Sequence, residues 1–89
     1  MIETKITIIN KLGLHARASA KFVSTAARFQ SRLDVTKDSK TINGKSIMGV
    51  MMLAASKGSE LTMQFDGPDE SEMLTAIVHL INNRFGEAE

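Results

Sequence analysis

The 89-residue chain contains no cysteine. This excludes a disulfide framework and any thiolate metal centre. Its two histidines leave little for an imidazole zinc site, and no cofactor is expected. Tryptophan and tyrosine are absent too, so base stacking would rest on four phenylalanines. The formal net charge is only +1, without the basic excess of a general nucleic-acid binder. No apolar run approaches the roughly 18–20 residues needed to span a bilayer. The opening Met1-Ile2-Glu3-Thr4-Lys5 lacks the layout of a secretory signal, so the cytoplasm is the default expectation. What is present is an ordinary soluble composition, long enough for one two-layer core, and residues 1–89 read as a single domain.

Hydrophobic spacing divides the chain into seven elements. Ile2 to Ile9 alternates, with Ile2, Thr4, Ile6 and Ile8 on one side, as in a half-buried strand. From Ala16 to about Phe29 the period is helical. Ala18, Phe22, Val23, Ala26 and Phe29 share one face, and Arg17, Lys21, Ser24 and Arg28 lie opposite. Leu33 and Val35 mark a second strand, Lys37-Asp38-Ser39-Lys40 a turn, and Lys40 to Asn43 a third strand. Ser46 to about Ser56 reads as a helix with almost no polar face. Ile47 and Val50 are expected inward and part of the methionine set outward, with Gly58 stopping the segment. Glu60 to Asp66 alternates as a fourth strand. Asp69, with Glu72, is expected to form a capping box on a last helix whose stripe is Leu74, Ile77, Val78, Ile81 and Phe85. His79 falls on the exposed side. The order β-α-β-β-α-β-α, with one apolar face per element, specifies a two-layer α+β fold.

Two joints carry candidate chemistry. Gly13-Leu14-His15-Ala16-Arg17 lies where the first strand gives way to the first helix. The first turn of a helix offers unpartnered N–H groups and the positive end of its dipole, which favours an anion. The same field favours a neutral, nucleophilic ring at His15, and Arg17 adds a guanidinium able to fork onto phosphate. A positioned nucleophile beside fixed positive charge suits phosphoryl transfer. A capping or packing role for His15 is equally open on these residues. No carboxylate stands near in sequence to orient the ring, and there is no Walker-type loop, so a self-contained kinase or hydrolase is not expected. At the second joint, Ser46 precedes an apolar helix, either as its cap or as a phosphorylation site. The row Arg17, Lys21 and Arg28, with the small Ala20 beside it, reads either as a solvated face or as a docking surface.

These residues resemble the HPr family, the histidine-containing phosphocarriers of the bacterial phosphoenolpyruvate:sugar phosphotransferase system. The similarity covers nearly the whole chain. It is strongest at Gly13-Leu14-His15-Ala16-Arg17 and Lys45-Ser46-Ile47-Met48-Gly49-Val50-Met51. It implies an open-faced sandwich: a four-stranded antiparallel sheet in order 1-4-2-3 with three helices on one face. It implies a carrier rather than an enzyme with its own turnover. His15 would accept a phosphoryl group at Nδ1 from phosphorylated enzyme I and pass it to an enzyme IIA domain, steadied by Arg17. Ser46 would match the serine modified by HPr kinase/phosphorylase. Arg17, Ala20, Lys21, Arg28, Ile47, Met48 and Met51 would form a docking surface on a monomer. No nucleic acid or membrane insertion is implied. A nitrogen-branch paralogue and a regulatory module of the same fold are the alternatives. The chain departs from the family at Ala18, where proline is usual.

Overall fold

Strand alternation produces a sheet with one dry face. The computed structural model describes residues 1–88. Its elements are β1 (Ile2–Thr7), α1 (Ala16–Ala26), β2 (Arg32–Lys37), β3 (Lys40–Asn43), α2 (Ile47–Met52), β4 (Glu60–Asp66) and α3 (Glu70–Asn82), followed by a 3-10 turn at Arg84–Gly86. The strands form an antiparallel sheet in the order β1-β4-β2-β3. Register places Ile6 opposite Leu61, Leu33 opposite Phe65 and Val35 opposite Met63. Because side chains alternate with period two, these buried residues all point to one face, and the helices cover it. The other face is polar: Gln64 donates to Glu3 across β1 and β4 at 2.8 Å, and the Thr36 and Thr41 hydroxyls share a hydrogen bond at 2.7 Å.

Each helix contributes its own apolar stripe. Ala18, Phe22 and Ala26 of α1, Val50 of α2, and Met73, Ile77 and Ile81 of α3 are buried together over the sheet. Burying one such large side chain contributes roughly 1.5–3 kcal/mol. α1 packs against both α2 and α3.

Three helix ends differ from the sequence expectation. α1 stops at Ala26, not near Phe29, because Arg28 and Phe29 N–H groups turn to carbonyls three residues back, at 3.2 Å each. α2 ends at Met52, and Ala54 (φ 51°) rather than Gly58 makes the left-handed exit. The Lys37 and Lys40 ammonium groups donate to the Leu53 and Met52 carbonyls at 3.2 Å each, satisfying groups left open by the helix end. With only six residues, α2 buries a single stripe, so Ile47 faces outward at 44 % exposure, against expectation. α3 stops at Asn82, and left-handed backbone at Arg84 and Phe85 folds the Phe85 ring back into the core.

The expected capping box is absent as well. Asp69 is the N-cap of α3, but its carboxylate accepts from the Gln30 and Ser31 N–H groups at 2.9 and 2.8 Å. It pins the entry of β2 to the entry of α3. The Ser31 hydroxyl and then the Gln30 amide hold this carboxyl below its ordinary value. Glu70, not Glu72, reaches back, accepting from the Gly67 N–H at 3.1 Å.

Two glycines with left-handed backbone separate conformation from contact. At Gly13 (φ +67°) an added Cβ would lie 2.4 Å from the Ala55 carbonyl oxygen and 2.8 Å from Ser56 Cα. At Gly58 (φ +92°) it would meet nothing within 4 Å. Gly58→Ala is therefore expected to lower stability by about 1–2 kcal/mol, the conformational cost alone. Gly13→Ala should lose clearly more, since backbone must also move. Paired urea melts of the two variants check this.

Candidate functional site

The site is built where β1 runs out. Ile8 still pairs with the segment leading to β4, through Ile8 N–H to Ser59 O (2.9 Å) and Gly58 N–H to Ile8 O (2.8 Å). The chain then turns, with Gly13 N–H donating to the Asn10 carbonyl (3.2 Å) and the Asn10 side-chain amide to the Gly13 carbonyl (2.8 Å). Leu14 N–H donates to Ala55 O at 2.8 Å, tying the turn to the exit of α2. His15 follows as the N-cap of α1, in extended conformation (φ −73°, ψ 179°).

The ring does not cap the helix, so that reading of His15 falls away. The first helical hydrogen bond runs from Ser19 N–H to His15 O at 2.8 Å. The N–H groups of Ala16, Arg17 and Ala18 precede it and belong to the open first turn. The Ser19 hydroxyl is occupied with Leu14 O at 3.1 Å. A proline at position 18 would forfeit no helical hydrogen bond, and Ala18 already packs in the core.

A carboxylate does reach the ring, from 72 residues away in sequence. Nε2 of His15 is hydrogen-bonded to Oε2 of Glu87. The other oxygen, Oε1, accepts from the Asn10 amide at 3.0 Å. The tail bearing Glu87 is held by the buried Phe85 ring and by Lys21, whose ammonium donates to the Phe85 carbonyl at 2.6 Å. A carboxylate only accepts, so Nε2 carries the proton and Nδ1 of the neutral ring keeps the lone pair. Spacing could not show this contact, because nothing between residues 15 and 87 sets their distance until α3 packs and Phe85 folds back. The buried Phe85 beside Gly86 was the sequence signal that the tail returns to the core.

The surroundings suit an anion. His15, Ala16, Arg17, Lys11, Leu12, Glu87 and Ala88 line an open depression of about 680 Å³. Arg17 is exposed at the second helical position, and Ala20 and Lys21 are exposed along α1. Lys21 thus also latches the tail, a role the sequence did not suggest. Arg28 is not brought to the site. It lies beyond the end of α1, 5.7 Å from the Phe29 ring centroid, in a groove with Ser71, Glu72, Thr75 and His79. Eleven positions separate it from Arg17, roughly 16 Å along a helix axis.

Ser46 caps α2, its hydroxyl oxygen accepting from Gly49 N–H at 3.1 Å. Beyond it, Met48 (69 %), Met52 (59 %) and Met51 are exposed with Ile47, on the helix that packs beside α1. Exposed thioether side chains in a row form an adaptable apolar surface. No helix among the described residues is long and apolar enough to cross a membrane.

Burial pushes the Glu87 carboxyl up, but hydrogen bonds from Asn10 and His15, and the charges of His15 and Lys21, outweigh this and hold it below its ordinary 4.5. A carboxyl lowered on folding adds stability that is complete above the unfolded value and lost as pH falls through the folded one. Glu87→Gln should therefore flatten the part of the acid unfolding limb just below pH 4.5, leaving stability near pH 7 lower than in the parent. Thermal midpoints of both proteins across that range test it.

Comparison with known proteins accords with this geometry. A family model described as the PTS HPr component phosphorylation site matches residues 2–83. The phosphocarrier protein HPr of Neisseria meningitidis serogroup A is 56 % identical over 89 residues, covering all of both chains. That of Cupriavidus necator is 54 % identical over 89 residues, again covering all of both chains. The crystal structure of HPr-C-His from Thermoanaerobacter tengcongensis superposes with a TM-score of 0.96 at 48 % identity, covering all of both chains. Sheet order, helix placement and sequence agree, and the chain belongs to the HPr family of phosphocarrier proteins of the phosphotransferase system.

Proposed function

We propose that His15 is the phosphate-bearing residue, loaded at Nδ1 by phosphorylated enzyme I and unloaded onto an enzyme IIA domain for sugar uptake. The observation that carries this reading is the engagement of Nε2 by Glu87 at the mouth of an open helix turn. It leaves Nδ1 as the nucleophile. In loading, the Nδ1 lone pair forms the bond to phosphorus while the bond from phosphorus to its donor breaks. The ring keeps its Nε2 proton and becomes cationic, and Glu87 offsets that charge. The first-turn N–H groups and the Arg17 guanidinium would meet the phosphoryl oxygens. In unloading, a protonated ring leaves as neutral imidazole, so the same carboxylate keeps the phosphoryl group transferable.

The docking surface in this reading joins the exposed cation Arg17 and the small Ala20 to Ile47, Met48 and Met51. Lys21 adds its charge while holding the tail, and Arg28 at the far end of α1 is peripheral. Such a surface serves one partner at a time, as befits a monomer. Ser46 is the regulatory position, with HPr kinase/phosphorylase as its modifying enzyme. A phosphate there would exchange a neutral cap for about −1.5 to −2 charges beside the methionines. The Lys45-Ser46-Ile47-Met48-Gly49 segment favours the sugar branch over the nitrogen branch.

With phosphoenolpyruvate and enzyme I, the intact protein should gain the mass of one acid-labile phosphate, and His15→Ala should gain none. A chain that stays unmodified would reduce it to a binding module. Faster phosphorylation of a sugar-type than of a nitrogen-type enzyme IIA identifies the branch.

Affinity for enzyme I should fall severalfold as ionic strength rises, since exposed charges are screened within about 10 Å at 0.1 M salt. Arg17→Ala should flatten that salt dependence, and Ser46→Asp should weaken binding at every salt concentration. Calorimetric titration of the three proteins measures both effects, and salt-independent binding would leave only the apolar helix as the contact.

A further inference from the structure

The Asn10 side chain has no exposed surface, and its amide is unevenly satisfied. Both hydrogens on Nδ2 are committed, one to the Gly13 carbonyl (2.8 Å) and one to Glu87 Oε1 (3.0 Å). The oxygen, Oδ1, is buried without a hydrogen-bond partner among the described residues. Rotating the amide would set its oxygen against two acceptors, so these acceptors fix its orientation. Buried polar atoms are normally paired, and an orphan asks for a reason. Here the reason is the NH2 group, which reaches two segments at once. It joins the end of β1 and the turn before α1 to a tail more than seventy residues later. That tail carboxylate is the one on the His15 ring.

We propose that Asn10 is a positioning residue for phosphoryl transfer. It holds the Glu87 carboxylate in the orientation that accepts the hydrogen bond from Nε2–H, and so fixes both the plane of the His15 ring and the nitrogen that attacks. This rests on the reading of His15 as the phosphate-bearing residue. Asn10 touches neither phosphate nor ring, and it acts through Glu87. Without it, Glu87 keeps only one fixed oxygen and its side chain can rotate away, freeing the ring to turn and to exchange tautomers.

The test combines kinetics with nitrogen NMR of the unphosphorylated ring. Asn10→Ala, and the equal-sized Asn10→Asp that sets a second carboxylate against Glu87, should each slow phosphorylation by enzyme I about tenfold, within the range of losses from misplaced reacting groups. In both, the His15 nitrogen shifts should move from a protonated Nε2 and bare Nδ1 toward a tautomer mixture. In a Glu87→Ala background, Asn10→Ala should add no further loss. An equal loss in that background, or an unchanged ring in Asn10→Ala, overturns the proposal. Should both Asn10 variants fail to fold, the Asn10 side-chain amide signals of the parent are compared with those of Glu87→Ala. A shift of one N–H signal supports the contact, and identical signals overturn it. Because the ring is read without phosphate, failure of His15 to take up phosphate is a separate result that leaves the positioning measurement standing.

Discussion

The position of the site depends on one close crossing of backbone. Gly13 passes over the Ala55 carbonyl and Ser56 with no room for a Cβ, and the next residue, Leu14, donates its N–H to that same carbonyl. A side chain at position 13 would force the turn away, and α1 would begin elsewhere. With the crossing in place, α1 starts beside the exit of α2. The open N–H groups of the first turn and the exposed methionines are thereby held on neighbouring helices. The sheet below contributes rigidity and burial, whereas this crossing decides where the imidazole stands.

Around that fixed point the chain assembles the groups of the candidate site. The ring has an orienting carboxylate, the helix start offers donors for an anion, and Arg17 adds positive charge. In the proposed reading these groups serve a phosphohistidine in waiting: the choice of nitrogen, compensation of ring charge and a leaving group ready to depart. In the same reading the exposed apolar helix beside it is the docking surface, since thioether side chains can refit to different shapes. This division of labour is that of a carrier.

Much of this was legible in the sequence because it depends on local period. The four strands, the hairpin and the three helices follow from alternation and 3.6-residue spacing, and the His15 joint follows from the change between them. The misses have two physical causes: tertiary contacts replaced local ones, and two helices ended earlier than their apolar period. Asp69 looked like a cap for its own helix but serves Gln30 and Ser31 instead. Ile47 matched an inward stripe until α2 proved too short for two inward residues on that side. Arg28 belonged to a row that continued only if α1 did, and α1 ends first. Glu87 and Asn10 escaped notice because the contact between them spans nearly the whole chain and exists only after Phe85 is buried.

The central claim, that Nδ1 of His15 carries the phosphoryl group while Glu87 holds Nε2, is tested most directly on the phosphorylated protein with nitrogen-labelled histidine. One-bond coupling to phosphorus should appear at Nδ1, with a proton retained on Nε2. Coupling at Nε2, or phosphate on any other residue, would contradict the account.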